Sequence, residues 1–413
     1  MTQTTQGWGE GPSERYETLA SRFRGIFADI RTGAIERELT RQLPQDQVRQ
    51  LAQAGLTAIR VPVEYGGSGA SLPELFNLLI ELAQADSNVV QSIRAHLGFV
   101  EVALNSGRKD WREDWLQRIA EGALIGPGRG EAGEVTQGKL ATRLTQRDGI
   151  WYLNGTKFYS TGVRYSDWID VGATGDDDQA YAVLVRRDAP GVDPLDDWNG
   201  FGQRLTSSGT TRYTEVVVQP EQIRGDDEKF PYSQAFYQLV HLATVAGIGR
   251  AISEETAAAV RERTRSFSNG NAARVRHDPQ ILEVVGRLRA AAYSASAIVL
   301  QNARALERVW QARQRGDDAA AIGHAREIAD LEIAQSQTLV FELILQASTH
   351  LFDALGASST LVPHALDRFW RNVRTLATHN PRIYKDRIAG DFAVNGTPAP
   401  DQWKIGVVPI PED

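Results

Sequence analysis

From Tyr232 to Thr378 apolar residues recur at three- and four-residue spacing, with few glycines or prolines inside the runs. That periodicity predicts long helices over 232–268, 279–316, 318–356 and 363–378. Helices of this length cannot bury their apolar stripes alone. They must lie side by side, so the C-terminal region 230–413 is expected to form a four-helix bundle.

Upstream, the texture changes twice. Residues 1–16 are polar and glycine-rich and are expected to be mobile. Between Arg15 and Ser106 the pattern is helical again: LPELFNLLIELAQA sets Leu72, Leu75, Leu78, Leu79 and Leu82 on one stripe, and a second helix starts near Asn88. From Ala123 the chain alternates instead. KLATRLTQRDGIWYLNGTKFYSTG, WIDVGAT, AYAVLVRR and TRYTEVVVQP read as strands, with turn signals at Asp148-Gly149 and Asn154-Gly155. The expected class is α+β in three parts: an N-terminal helical domain (1–122), a central β-barrel-like domain (123–229) and the helical bundle.

Composition closes off several functions. A net charge of -7 over 413 residues argues against a nucleic-acid partner, since such domains are usually basic. The absence of cysteine removes disulfides, thiolate catalysis and cysteine-ligated metals. No histidine pair has ligand spacing with a nearby carboxylate, so no metal site is expected. The start lacks the pattern of a secretory signal and no apolar run spans a membrane; the expected location is cytoplasmic.

Four local phrases then occur in a telling order: VPVEYGGSG, LNGTKFYSTG, RTRSFS and DRFWRNVR. Together they resemble the acyl-CoA dehydrogenase family over roughly residues 15–395. The resemblance implies a flavin site and packing of the bundles into a homotetramer. The departures are equally informative. The family's dehydrogenases need a carboxylate base, yet Ala377-Thr378-His379-Asn380 stands where a glutamate is expected. The alternative position on the first long C-terminal helix falls at Tyr237, in a segment without any acid. GPGRGEAGEVTQG (126–138) replaces the loop that contacts an acyl thioester.

These losses, with KFYSTG, DDWNGFGQRLTSSGT and FWRNVRTLATHNPRIYKDRIAGDF, resemble the flavin monooxygenase branch of the family, which includes dibenzothiophene monooxygenase and the sulfur-acquisition oxygenases. What the branch implies is a two-component enzyme. Reduced FMN comes from a separate flavin reductase, reacts with molecular oxygen, and oxygenates a small, organosulfur substrate through a C4a-(hydro)peroxyflavin. The alternatives are an FAD-dependent acyl-CoA dehydrogenase or oxidase, an N- or C-hydroxylating flavin monooxygenase of a biosynthetic pathway, and a catalytically silent scaffold.

The resemblance also nominates residues. His379 takes the place of the glutamate, where an imidazole can donate a hydrogen bond and move a proton near neutral pH; the bland reading is a cation at a helix end. His96, on the second N-terminal helix, is placed facing the flavin, although a lone histidine there is otherwise an ordinary core residue. Ser160 takes the position whose hydroxyl approaches flavin N5. Arg265 is the phosphate anchor, since a guanidinium binds phosphate through paired hydrogen bonds. Thr206 and Ser207 offer donors at the flavin edge, and Trp198 packs near the ring system or fills core. His241, His277, His324, His350 and His364 read as surface or packing residues, and Arg371 and Arg374 as ion-pair partners.

Overall fold

The computed structural model describes residues 3–133, 139–225, 229–400 and 407. Six helices come first: α1 (Tyr16–Thr32), α2 (Ala34–Thr40), α3 (Gln45–Gln53), α4 (Leu72–Ala85), α5 (Ser87–Asn105) and α6 (Lys109–Ala120). Local chemistry sets their starts. Ser71 and Glu74 form a reciprocal capping box ahead of α4, with Pro73 in its first turn, and the Asp86 carboxylate accepts the Asn88 N–H to open α5.

Among the described residues eight strands follow: β1 (Ile125–Gly128), β2 (Arg143–Arg147), β3 (Ile150–Lys157), β4 (Trp168–Gly175), β5 (Ala180–Arg186), β6 (Val192–Pro194), β7 (Thr211–Val218) and β8 (Ile223–Gly225). The order is β6-β7-β3-β2-β4-β5-β8, with β1 parallel to β4. Asp148 (φ 52°) and Gly149 (φ 80°) turn β2 into β3, as their sequence predicts. Asn154-Gly155 does not turn the chain. Strand β3 runs through it to Lys157, because β7 pairs with β3 on both sides, and the pair becomes a bulge with Gly155 at φ 150°.

The last part holds α7 (Ser233–Glu262), α8 (Pro279–Arg315), α9 (Ala319–His350), α10 (Asp367–His379) and α11 (Lys385–Asn395). Helices α4, α5, α7, α8, α9 and α10 share one apolar core, whereas the sheet has a separate one around Leu144, Leu153, Val171, Val183 and Val216. The described part of the N-terminal stretch is tied down, against expectation. Trp8 is buried beneath the guanidiniums of Arg250 (4.8 Å) and Arg289 (4.1 Å), and Gln3 donates to Glu81. Such cation–π contacts stabilise by about 0.5–2 kcal/mol each.

Candidate active site

One group of candidate residues lies on the sheet domain. After β3 the chain runs through Tyr159 (φ 59°) and Ser160 to Gly162 (φ 80°). This strip is laced to residues 206–209: the Ser160 N–H donates to the Gly209 carbonyl (3.1 Å) and the Gly162 N–H to the Thr206 carbonyl (2.9 Å). The Thr206 hydroxyl is used internally, donating to the Gln203 carbonyl and meeting the Ser208 hydroxyl at 2.7 Å. The hydroxyls of Ser160 and Ser207 are different: both are buried and neither has a partner. A buried polar atom without a partner costs about 1–3 kcal/mol, so two on one strip mark a place where a polar ligand belongs. Trp198 donates its indole N–H to the Gln203 carbonyl (2.9 Å) and meets Tyr159 edge to face. It is thus a partly exposed loop anchor beside this strip.

Two close approaches hold the strip against the helices. A side chain at Gly162 would overlap the Ser92 carbonyl of α5, and one at Gly202 would overlap the Arg371 carbonyl of α10. Polar links reinforce them: Asn372 on α10 accepts the Gln203 N–H at 2.6 Å, and Gln203 donates to Ser87 at 3.1 Å. Arg371 is an ion-pair partner, of Glu38 and Asp367, both at 2.7 Å.

The second group gathers where α5, α7 and the end of α10 meet. Asn380-Pro381 stops α10, and Asn380 is extended (φ -130°, ψ 131°). This leaves His379 at the last helical position, its ring 4.5 Å from that of His241 on α7, centroid to centroid. One turn before His241, Tyr237 lies under the Arg94 guanidinium of α5 at 4.8 Å, and Arg94 Nε donates to the Tyr237 carbonyl at 3.3 Å. Arg94 and Tyr237 are partly exposed and His379 is exposed, so the three form a corner open to solvent. His241 sits behind them at 1% exposure, with no partner on either ring nitrogen.

The electrostatics of this corner are one-sided. Burial, with repulsion from Arg94, holds His379 below the ordinary imidazole range, and burial, Arg94 and His379 together push His241 well below it. Both shifts run towards the neutral imidazole, firmly for the buried His241 and against the exposure of the His379 ring. Burial also raises the Tyr237 phenol, which stays protonated. Asp170, whose charge reaches Tyr237, is committed to Arg129 and Arg224 at 2.6 Å each.

His96 and Arg265 stand apart from both groups. The His96 Nε2–H donates to the Thr57 carbonyl (3.0 Å) and its Nδ1 accepts the Ile125 N–H (3.2 Å). Both nitrogens thus clamp α5 between the Thr57 turn and β1. Burial pushes this imidazole down to about 4. Arg265 falls outside the expected helix: α7 ends at Glu262, and Arg265 is exposed in the following loop. At about 1.5 Å of rise per residue it is on the order of 30 Å from His241 along α7. Sequence reasoning passed over His241 and Arg94. One signal was there: Tyr237 and His241 are four apart on an otherwise apolar helix and so share a face. The loop 126–138 lies partly outside the described residues. Among the described residues no cluster of histidine, aspartate and glutamate has the make-up of a metal site, and no helix is long and apolar enough to cross a membrane.

The sequence matches the acyl-CoA dehydrogenase N-terminal domain over residues 13–123 and the C-terminal domain over 239–381, together more than half of the chain. The chain belongs to the acyl-CoA dehydrogenase family. Within the family it is similar to a dibenzothiophene monooxygenase of Rhodococcus qingshengii, 28% identical over 90% of this chain and 92% of that protein. A probable FMNH2-dependent monooxygenase, SfnC of Pseudomonas putida, is 27% identical over 92% and 95%. The fold is that of FMN-bound TdsC from Paenibacillus sp. A11-2, with a TM-score of 0.83, 24% identity and coverage of 92% and 98%. It is equally that of methanesulfinate monooxygenase MsuC from Pseudomonas fluorescens (0.83, 24%, 93% and 98%).

Proposed function

We propose that this acyl-CoA dehydrogenase family member is a two-component, FMN-dependent monooxygenase, an oxidoreductase acting on a small organosulfur compound. One observation carries the reading. The corner of α5, α7 and α10 offers two imidazoles in contact, His379 and His241, and the Arg94 guanidinium, where abstraction of an acyl α-proton needs a carboxylate. The named relatives favour it too: one is a dibenzothiophene monooxygenase and another a probable FMNH2-dependent monooxygenase.

The residues fit reduced FMN. Ser160 and Ser207 have buried hydroxyls to spend on the flavin edge, and Trp198 and Thr206 hold the loop that presents them. Reduced FMN, supplied by a separate flavin reductase, contributes the two electrons that divide dioxygen between substrate and water. The protein's part is to keep water out and to manage protons. Ser160 would hold the edge of the flavin. The exposed His379 would donate a ring N–H toward the reacting oxygen and could accept a proton at its other nitrogen. His241 would back His379 through ring contact. His96 acts at one remove, fixing α5 and hence Arg94. Arg265 sits too far along α7 for its own chain's corner, so it meets an FMN phosphate from another copy in a homotetramer of bundles.

The test is anaerobic titration with reduced FMN, oxidised FMN and FAD, followed by labelled dioxygen and substrate. Tighter binding of reduced FMN and incorporation of one labelled oxygen atom are expected. Bleaching of bound FAD by a straight-chain acyl-CoA without oxygen would overturn the reading in favour of a dehydrogenase.

A further inference from the structure

His379 stands in an exposed stretch held between two buried residues. Ala377 and Lys385 are covered. Of residues 378–384 between them, Asn380 and Arg382 are half-buried and the rest are exposed. The helix end itself gives little support. Among the described residues no backbone N–H closes the last turn of α10, although the Arg263 N–H closes α7 and the Gly396 N–H closes α11. A last turn left open in this way frays. What fixes His379 must therefore come from the two ends of the stretch.

The upstream end is apolar: Leu376 and Ala377 belong to the helical core. The downstream end is not. Lys385 is the buried residue of α11, while Ile383, Tyr384 and Val394 around it are exposed. Helix α11 lies along α9, and Lys385 shares a cavity of about 20 Å³ with Asp330 of α9 and with Gln234 and Gln238 of α7. Burial pushes the Lys385 ammonium down, and the Asp330 carboxylate supports it. Helix α9 is in turn tied to α7 close to His241, where the Gln337 carboxamide donates to that of Gln238 at 3.0 Å. An apolar contact survives sliding. A buried ammonium is satisfied only where opposite charge lies, so it fixes register as well as proximity.

We infer that Lys385 is a positioning residue for His379: seated against α9 beside Asp330, it pins the exposed stretch from downstream and keeps the imidazole at the corner of α5 and α7. The inference rests on the role proposed for His379 toward the reacting oxygen and extends it. The rival reading is that Lys385 only attaches a peripheral helix.

Lys385→Glu sets like charges against each other at this joint and should unseat α11. Hydrogen exchange of the protein alone should quicken at least about tenfold in the last turn of α10 and stay unchanged in α7 and α8. Protein holding reduced FMN is then mixed with dioxygen in the absence of substrate. Reduced FMN and dioxygen give FMN and hydrogen peroxide, two electrons and two protons passing to oxygen, and the release of peroxide is timed. With His379 out of place it should be at least about fivefold faster than in the wild type, and His379→Ala should show the same change. Binding of reduced FMN should stay within about threefold. Adding Asp330→Asn to Lys385→Glu removes the repulsion and should recover at least about half of both changes. Lys385→Ala, which deletes the stem without adding charge, decides the matter should Lys385→Glu not fold.

Unchanged exchange overturns the proposal. So does faster exchange with peroxide release unmoved, or a variant that loses FMN binding, since the change is then not confined to His379. If His379→Ala alters peroxide release and Lys385→Glu does not, this inference fails alone. If neither alters it, the role given to His379 fails with it.

Discussion

The imidazole of His241 lies 4.5 Å from that of His379, tilted by 49°, although neither nitrogen of His241 is bonded to the protein. The two rings touch by packing alone, one buried and one exposed. A proton could pass between them only after a rotation that joins their nitrogens.

Replacing the outer ring should separate chemistry from folding. His379 fills little core, so His379→Ala is expected to change stability by less than about 1 kcal/mol. Loss of a positioned proton donor lowers the productive rate about 100- to 10,000-fold. Product and hydrogen peroxide formed per reduced FMN are the quantities to measure. Unchanged product yield would reduce His379 to a helix terminus.

The inner ring should behave in the opposite sense. Removing a buried polar group that has no partner is neutral or stabilising, so His241→Leu should hold or raise the melting temperature while product yield drops at least about tenfold. A destabilised but fully active variant would make His241 a packing residue.

Ser160→Ala tests the flavin edge. The hydroxyl has no partner to lose in the free protein, so the unfolding curve without FMN should not move. One hydrogen bond of about 0.5–1.5 kcal/mol corresponds to roughly 2- to 12-fold weaker FMN binding. The comparison is thermal denaturation of both proteins across an FMN titration.

Acid should destabilise the fold through His96. Its folded value, about 4, lies below the unfolded value near 6.5. Between these two the unfolded chain binds the extra proton, so stability is full above pH 6.5 and falls as the pH drops towards 4. The loss is on the order of 3 kcal/mol, seen as a falling urea midpoint. His96→Leu should remove this share of the slope and leave the part that His241, also held low by burial, contributes. It should also cost roughly 2–5 kcal/mol at pH 7, because it strands the Thr57 carbonyl and the Ile125 N–H.

Sequence patterns disclosed the elements wherever a local rule closed them. Helix α8 is bounded by Asp278, Pro279 and Gly316 (φ 74°), all visible as cap and stop signals. Helix α7 had no such stop. It ends where burial ends, just past Val260, because the exposed RERTRS that follows has no apolar face to sustain a helix. Arg265 was therefore expected on a helix it does not join. Asn154-Gly155 satisfied the rule for a turn, and only the partner strand β7 shows it to be a bulge. Trp8 looked like part of a loose tail until Arg250 and Arg289 closed on it.

The same division holds for the site. Residue-type reasoning nominated His379 and Ser160 through a family resemblance. It read His241 as a surface or packing residue and gave Arg94 no role, because a lone histidine or arginine on an apolar helix carries no local mark. Their meaning depends on α10 folding back across α7 and α5, a long-range contact that periodicity does not encode.

The joint between Gln203 and Asn372 has a mechanical consequence. It fastens the hydroxyl-bearing strip of the sheet domain to the helix that ends in His379, with Ser87 of α5 tied in by the same side chains. Helix α10 also belongs to the helical core through Phe369, Val373 and Leu376, so these bonds rivet the strip to the bundle itself. Cutting them at Asn372 or Gln203 would loosen the strip without disturbing the apolar contacts that hold His379.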